Sequence, residues 1–371
     1  MADIKEDKRI VLTLDAGGTN MVFGAIKGGE FIGGTTRLSA NAHDLGLCLE
    51  TMVKGFSIVR DSLKAMGESE PAAISFSFPG PADYPNGIIG GFLPNFPSFR
   101  DGVALGPFLK EKFGIPVFIN NDGDLYAYGE AIAGALPEIN ARLEAAGSPK
   151  RYHNLIGYTF GTGFGVGIVI DGRLNRGDNS CVETFCLEHP FKEGVIVEEG
   201  VAARAVKRVY GELSGNPDHG LEPKEIGEIC TGVRAGDKAA ALAAFNEMGE
   251  VAGRAMATAA SLIDGLIVIG GGIMHNSAFI MPGLLKSLRS SLHTLGGENV
   301  RRVQSEVFNL DDPAEFELFA KGQARSLKVW GTDKEVVYDP MKRIGVMRSK
   351  IGASEAISLG AYLFALSELD K

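Results

Sequence analysis

Asp15-Ala-Gly-Gly-Thr-Asn20 stands directly behind the apolar run Ile10-Val-Leu-Thr-Leu14. An apolar run with β-branched residues reads as a buried strand, and Gly17-Gly18 then forces a tight turn. Two glycines followed by Thr19 leave backbone N–H groups unobstructed, which suits a phosphate oxygen. The same turn also closes ordinary hairpins. Asp15 brings a carboxylate to the strand end, in reach of a metal ion. Gly161-Thr162-Gly163 follows a second apolar run, Leu155–Thr159, and offers either the same N–H donors with a hydroxyl or a plain hairpin turn. Gly270-Gly271-Gly272 follows Leu266–Ile269. Three glycines admit a flat ligand to the backbone, and equally make a strand-to-helix turn. Asn120-Asn121-Asp122 closes the short apolar stretch Val117–Ile119. Asn or Asp there caps a following helix, and a carboxylate there also accepts a proton from a hydroxyl nucleophile. Asn95, within Phe92-Leu-Pro-Asn-Phe-Pro97, is an amide held between prolines, fit for a sugar hydroxyl or for turn chemistry.

The elements that must position these residues alternate along the chain. Ile10–Leu14, Met21–Ile26 and Glu30–Thr36 read as strands, and Leu45–Met66 has helical spacing of apolar residues. Ala72–Phe78 reads as a strand ending at Pro79-Gly80-Pro81. In the second part, Val166–Ile170 reads as the hairpin partner of Leu155–Thr159. Val251, Ala255, Ala259 and Ile263 recur at four-residue steps, a helix stripe. Two strand–glycine turn–strand units, near residues 15 and 160, suggest an internal duplication. From 301 to 350 the pattern breaks into short β-like pieces (Val303–Phe308, Glu335–Tyr338, Ile344–Met347), with the stretch from Val336 to Met347 read first as a plain surface insertion and second as an interface or lid. Ser354–Leu369 reads as an apolar terminal helix. Strands followed by helix–strand alternation imply mixed sheets covered by helices.

At 371 residues the chain has room for two domains. A net charge of −9, with no block of Lys or Arg, argues against a nucleic-acid surface. Four cysteines (Cys48, Cys181, Cys186, Cys230) make no paired framework and fit a reducing, cytoplasmic setting. The start lacks the apolar core of a signal peptide, and no apolar run reaches membrane-spanning length.

Taken together, these residues resemble the ROK family of sugar kinases, within the actin-like, hexokinase-type ATPase superfamily. The carriers are Asp15-Ala-Gly-Gly-Thr-Asn20, Pro79-Gly-Pro81, Leu93-Pro-Asn-Phe96, Asn121-Asp122, Gly161-Thr-Gly163 with Gly165 and Gly167, Asp171-Gly-Arg173, and Ile269-Gly-Gly-Gly272. They span nearly the whole chain in the family's order. The resemblance implies a two-domain α/β fold of the ribonuclease H-like kind, each domain a mixed β-sheet flanked by helices with a cleft between. Domains are expected at 1–125 plus 352–371 and at 126–351.

Carried onto this chain, the resemblance makes Asp15, Gly17, Gly18, Thr19 and Asn20 the first phosphate loop, with Asp15 near Mg2+ as an indirect ligand. Gly161, Thr162 and Gly163 become the second, and Gly271 and Gly272 the adenosine-side turn. Asn95 and Asn121 match sugar ligands, and Asp122 the catalytic base. The sequence departs from the family after Arg176-Gly177, where a Gly-Glu-x-x-His motif and a cysteine-rich zinc knot are usual. Here it reads Asp178-Asn-Ser-Cys-Val-Glu-Thr-Phe-Cys-Leu-Glu-His189. Glu183 is the best match for a sugar-binding Glu, with Glu188 second; His189 is the available His, and Glu198 or Glu199 the later sugar carboxylate. Cys181, Cys186 and His189 lack a Cys-x-Cys pair, so no structural zinc is expected.

The resemblance thus implies an ATP-dependent kinase acting on the 6-hydroxyl of glucose or a related hexose such as N-acetylglucosamine, and a homodimer. The alternatives are an N-acetylmannosamine or fructose kinase, or a catalytically silent sugar-binding regulator. Family repressors carry a helix-turn-helix before the first phosphate loop. Nine residues precede the strand here, which with the negative charge weighs against DNA binding.

Overall fold

The computed structural model describes residues 4–91 and 93–371; Phe92, named above with the Asn95 loop, lies outside them. The chain forms two compact units: Met1–Ala133 with Arg173–Val182 and Ser354–Lys371, and Gly134–Gly172 with Glu183–Ala353. Residues 173–182, expected with the second domain, fall in the first unit.

The first unit is built on a sheet in the order β3-β2-β1-β4-β7, comprising β1 (Ile10–Ala16), β2 (Asn20–Lys27), β3 (Glu30–Ser39), β4 (Ala73–Ser77) and β7 (Val117–Asn120). A short ribbon, β5 (Ala82–Asp83) with β6 (Ile88–Ile89), precedes β7. β1, β2 and β3 pair antiparallel, while β1, β4 and β7 run parallel. The first five residues of β1 are buried, as expected of a strand covered on both faces. Helix α1 (Leu45–Ala65) starts where Asp44 accepts from the Leu47 N–H at 3.0 Å, a side-chain cap. It buries Cys48, Met52, Phe56 and Val59 against the sheet. α2 (Leu105–Phe113) and α3 (Asp122–Ile132) flank β7 in sequence, and α10 (Ala353–Leu369) closes the chain. α3 and α10 cross with backbones almost touching: a Cβ on Gly129 would lie 2.2 Å from the Ala356 carbonyl oxygen, and one on Gly360 1.9 Å from that of Leu125.

The second unit repeats the topology. Its sheet runs β9-β8-β11-β17-β14, from β8 (Leu155–Phe160), β9 (Phe164–Ile170), β11 (Leu266–Gly270), β14 (Glu306–Asn309) and β17 (Arg343–Arg348); the two-residue β10 (Arg173–Leu174) follows β9 in the chain. As in the first unit, an antiparallel hairpin is joined through its first strand to parallel neighbours. Helices α4 (Ala135–Ala145), α5 (Ala203–Ser214), α6 (Pro223–Thr231), α7 (Lys238–Ile263), α8 (Ser277–Leu288) and α9 (Pro313–Lys321) complete it. The long α7 packs on α8 through glycines, since a Cβ on Gly249 would meet the Ile280 carbonyl oxygen at 2.1 Å.

The region that reads poorly in sequence contains two small ribbons, β12 (Ser291–His293) with β13 (Asn299–Arg301) and β15 (Arg325–Lys328) with β16 (Glu335–Tyr338). The second ribbon is pinned at its base. Asp339 accepts from the N–H groups of Gln323 (3.1 Å) and Met341 (3.0 Å) and from the fully buried Arg343 guanidinium (2.6 Å). Arg343 also donates to the carbonyls of Phe319 and Met341.

Candidate functional site

Strand register sets the first-unit site. Asp15 on β1 pairs with Ser77 on β4, and Ser77 with Asn120 on β7, so three polar residues lie level at the carboxyl ends of parallel strands. Ligands of open α/β sheets bind at such ends. A cavity of about 410 Å³ opens there, lined by Asp15, Ser77, Asn95, Asn121 and Asp122 among others. Its remaining wall is α10, through Ser354, Ile357, Ser358 and Ala361, one helical face at i, i+3, i+4, i+7 spacing.

Each side chain is placed by its neighbours. Asn121 is the N-cap of α3, its Oδ1 accepting from the Gly123 N–H at 2.8 Å. The cap and the cavity-lining role therefore coexist, with Nδ2 not used by the cap. Asp122 also accepts from the Gly123 N–H at 2.8 Å. Burial pushes its carboxyl above the ordinary aspartate value, and the Asp15 charge adds to this, while backbone hydrogen bonds oppose it. Asn95 is set between Leu93 and Phe96, both buried, and the Phe96 ring packs against Phe78 at a tilt of 44°, with centroids 4.6 Å apart. The loop is thus held by aromatic packing as well as by its prolines.

The turn at residues 17–20 is closed by the Gly17 N–H donating to the Asn20 carbonyl at 3.0 Å. Among the described residues the N–H groups of Gly18 and Thr19 meet no acceptor, which leaves them available to an anion. Gly18 is needed for a second reason. A Cβ there would lie 2.9 Å from the Asn95 carbonyl oxygen and 3.0 Å from its Cβ. The phosphate-type turn and the Asn95 loop are therefore in direct contact.

Behind Asp122 lies a charged group that the sequence reading passed over. Asp124 is buried at 6% exposure in the first turn of α3. Burial pushes its carboxyl up to about 7, with Arg176 opposing and Asp122 adding to the rise. The Arg176 guanidinium donates to Asn120 Oδ1 at 2.8 Å and lies over the Phe364 ring at 5.3 Å. Arg176 thereby ties the 173–182 segment to the strand end that precedes the base. Ser77, Ser354 and Ser358 were also missed. For Ser354 and Ser358 the signal is two hydroxyls four residues apart on one face of an otherwise apolar terminal helix.

In the second unit, the Gly161 N–H donates to the Gly163 carbonyl (3.1 Å), while those of Thr162 and Gly163 meet no acceptor among the described residues. Glu198 and Arg204 buttress this turn. Glu198 accepts from the Phe164 N–H at 3.0 Å, and Arg204 bonds Glu198 (2.7 Å), Glu199 (2.8 Å) and the Thr162 carbonyl (3.3 Å). Gly271, at φ 99°, lies on the end of β8, where a Cβ would come within 2.2 Å of the Phe160 carbonyl oxygen; Gly272 has open space. This brings the third glycine turn beside the second. Glu183, His189 and Glu198 belong to this unit and do not line the first-unit cavity. His189 is 2% exposed; its Nδ1 accepts from the Phe191 N–H at 3.2 Å and its Nε2 faces Gly200. Burial, aided by Lys192 and Arg208, holds the imidazole below its ordinary pKa. Placed so, it packs the core of the unit. Among the described residues no three His, Cys, Asp or Glu side chains converge as a metal site, and Cys181 and Cys186 are exposed thiols. No helix among the described residues is long and apolar enough to cross a membrane.

The ROK family model matches residues 11–309. The crystal structure of a glucokinase from Parabacteroides distasonis is 55% identical, covers 99% of both chains and superposes with a TM-score of 0.91. A ROK family glucokinase from Streptomyces griseus, in complex with glucose and AMPPNP, shares the fold at 19% identity, with 96% of this chain and 98% of that one covered and a TM-score of 0.59. A xylose repressor from Bacillus spizizenii is 36% identical over 104 residues, 28% of this chain, and the match spans only 23% of the repressor's length.

Proposed function

The chain belongs to the ROK family, and we propose that it is an ATP-dependent hexose kinase transferring the γ-phosphate to the 6-hydroxyl of glucose or a related hexose. The observation that carries this reading is a carboxylate, Asp122, sharing one cavity with the amides of Asn95 and Asn121, where Asn95 touches a glycine turn whose Gly18 and Thr19 N–H groups find no acceptor among the described residues. Similarity to the Parabacteroides glucokinase favours glucose among hexoses.

Phosphoryl transfer asks a protein for positioning, charge neutralisation and a base. Asn95 and Asn121 orient the sugar by hydrogen bonds to its hydroxyls. Asp122 accepts the proton of the attacking hydroxyl, and its raised pKa makes it a better base than an ordinary aspartate. Gly17, Gly18, Thr19 and Asn20 take phosphate oxygens in the first unit. Gly161, Thr162 and Gly163 do so in the second, with Gly271 and Gly272 at the adenosine. Glu183 is the first candidate for a further sugar contact and Glu188 the second, with Glu198 or Glu199 the later sugar carboxylate and His189 a supporting residue. Asp15 and the Ser77 hydroxyl are hard oxygen donors of the kind that suit Mg2+ and its waters, and the ion would neutralise phosphate charge. A cytoplasmic homodimer completes the reading.

A sugar-binding regulator is the second reading, favoured by the xylose repressor match; it gives Asp122 no task. The test is ADP release from Mg–ATP with glucose, N-acetylglucosamine, N-acetylmannosamine, mannose and fructose, beside Asp122→Asn. Sugar-dependent turnover that falls by about 10²–10⁴-fold in the variant is expected. Sugar binding without turnover would transfer the case to the regulator.

A further inference from the structure

Asp122 stands at a corner of the first unit, where β7 ends at Asn120 and α3 begins. β7 is four residues long and lies at the edge of its sheet, paired with β4 alone among the described strands. On that paired side the Phe78 N–H donates to the Asn120 carbonyl at 3.0 Å. The Asn120 side chain makes a different attachment. It is fully buried; its Oδ1 accepts from Arg176 at 2.8 Å, and its Nδ2 meets no acceptor among the described residues. Without Arg176 both ends of this buried amide would be unpaired, a state that folded chains avoid. The guanidinium is itself aimed. It lies 5.3 Å over the Phe364 ring of α10. That ring is 6% exposed and meets Phe118 of β7 and Tyr128 of α3 edge-on, with centroids 6.2 and 5.8 Å away. Just after Arg176 the chain turns, Gly177 having φ 67° and donating to Asn175 Oδ1 at 3.3 Å. A planar cation over an aromatic ring has a fixed direction that a lysine ammonium lacks. The Arg176 charge also acts on Asp124, opposing the rise that burial causes there.

We propose that Arg176 is a positioning residue for the phosphoryl transfer: through the Asn120 amide it fixes where Asn121 and Asp122 stand against the hexose. This assignment rests on the kinase reading. Arg176 is absent from the cavity lining, so it acts through the corner and not on the sugar. Asn121 and Asp122 both accept from the Gly123 N–H, each at 2.8 Å, which pins their side chains to the start of α3. That start follows Asn120 directly, and the Leu125 N–H closes its first turn on the Asn121 carbonyl at 3.1 Å. A shift of the corner therefore carries the sugar amide and the base together. Misplacing reacting groups by about 1 Å costs on the order of 10²-fold in rate. The glycine turn at 17–20 instead joins β1 to β2 and meets the Asn95 loop. Loss of Arg176 should thus fall on the hexose and the chemical step and spare ATP.

The experiment compares the full chain with Arg176→Ala, Arg176→Lys, Asn120→Ala and the Arg176→Ala/Asn120→Ala double variant. Steady-state kinetics are measured with Mg–ATP and the hexose that wild type turns over best. Amide hydrogen exchange is measured at Phe78 and Leu125, whose N–H groups bond the Asn120 and Asn121 carbonyls. Arg176→Ala is expected to lower kcat about 10–100-fold, raise the KM for hexose roughly threefold or more, and leave the KM for ATP unchanged. Exchange at both amides should quicken about tenfold or more. Arg176→Lys keeps a charge and a donor and is expected to recover part of the loss in kcat. Because Arg176 acts through Asn120, the double variant should be no slower than the slower single one. Wild-type kcat and hexose KM in Arg176→Ala overturn the assignment, as do an equal rise in both KM values or a double variant whose losses multiply. If Arg176→Ala does not melt cooperatively, Arg176→Lys carries the test: a lowered kcat at unchanged KM for ATP upholds the role, and wild-type kcat overturns it. A wild type without turnover on any hexose ends the kinase reading alone. Exchange at Phe78 and Leu125 then decides whether Arg176 holds the corner, and wild-type exchange in the variant overturns it.

Discussion

Asp124 shows how one buried carboxyl links stability to pH. Its folded-state pKa, about 7 against an ordinary 3.8, means the folded chain holds a proton that the unfolded chain releases. Stability contributed by that proton is complete below the ordinary value and is lost as pH rises toward 7, a change of roughly 4 kcal/mol at most. Asp124→Asn should therefore match wild type near pH 4 and exceed it in melting temperature near pH 8; parallel curves would refute the assignment. At Gly18 the argument is steric. Gly18→Ala should push Asn95 aside and raise the KM for hexose and for ATP together, because one backbone contact serves both loops. An effect on ATP alone would separate them. Asp15, Asn95, Asn121 and Asp122 were legible because strand ends and turns announce themselves by glycine, proline and amide. Asp124 and Arg176 were not, since their partnership joins residues 52 positions apart and no local pattern encodes it.

Among the elements, α10 carries the clearest consequence. Its apolar character is plain in sequence, and the expected helix over 354–369 is present, within Ala353–Leu369. Its cavity-lining hydroxyls were hidden, because Ser354 and Ser358 read as ordinary helix surface until the crossing with α3 fixes the helix rotation. Gly129 and Gly360 set that crossing. Gly360→Ala should cost about 1–3 kcal/mol by overpacking and raise the hexose KM by displacing the Ser354–Ser358 face, read from a denaturant melt and steady-state kinetics. A stability loss with unchanged KM would mean that α10 is scaffold only. The glycine turns show the reverse case: each strand–turn–strand motif was readable, whereas the Glu198–Arg204 buttress of the second turn depends on α5, which is distant in sequence.

For the molecule as a whole, the chain passes between its two units four times, after residues 133, 172, 182 and 353. Composition and periodicity indicated two α/β halves and a repeated topology, both of which the sheets display. The excursion at 173–182 was not visible, because it is ten residues long and carries no change in composition. At the second ribbon, Asp339→Asn would leave the buried Arg343 cation without its counter-charge, at a cost of about 3–5 kcal/mol. Burial, the largest single influence, raises the Asp339 pKa, but the hydrogen bonds from Arg343, Gln323 and Met341 and the Arg343 charge together lower it below the ordinary value. Its stabilisation is thus present above the ordinary carboxylate pKa and lost as pH falls through the depressed one, so the variant's deficit should shrink in acid.

The same clamp makes the ribbon a module. Gln323 and Met341 meet on a single carboxylate, so everything between them is a closed loop entered and left at one point. Loop-closure entropy grows only as the logarithm of length, and the sheet senses the clamp rather than the contents of the loop. Evolution can therefore lengthen, shorten or re-letter this arm while the glycine turns and the carboxylates of the sheet stay untouched, and an engineer can use the same point to graft a foreign hairpin.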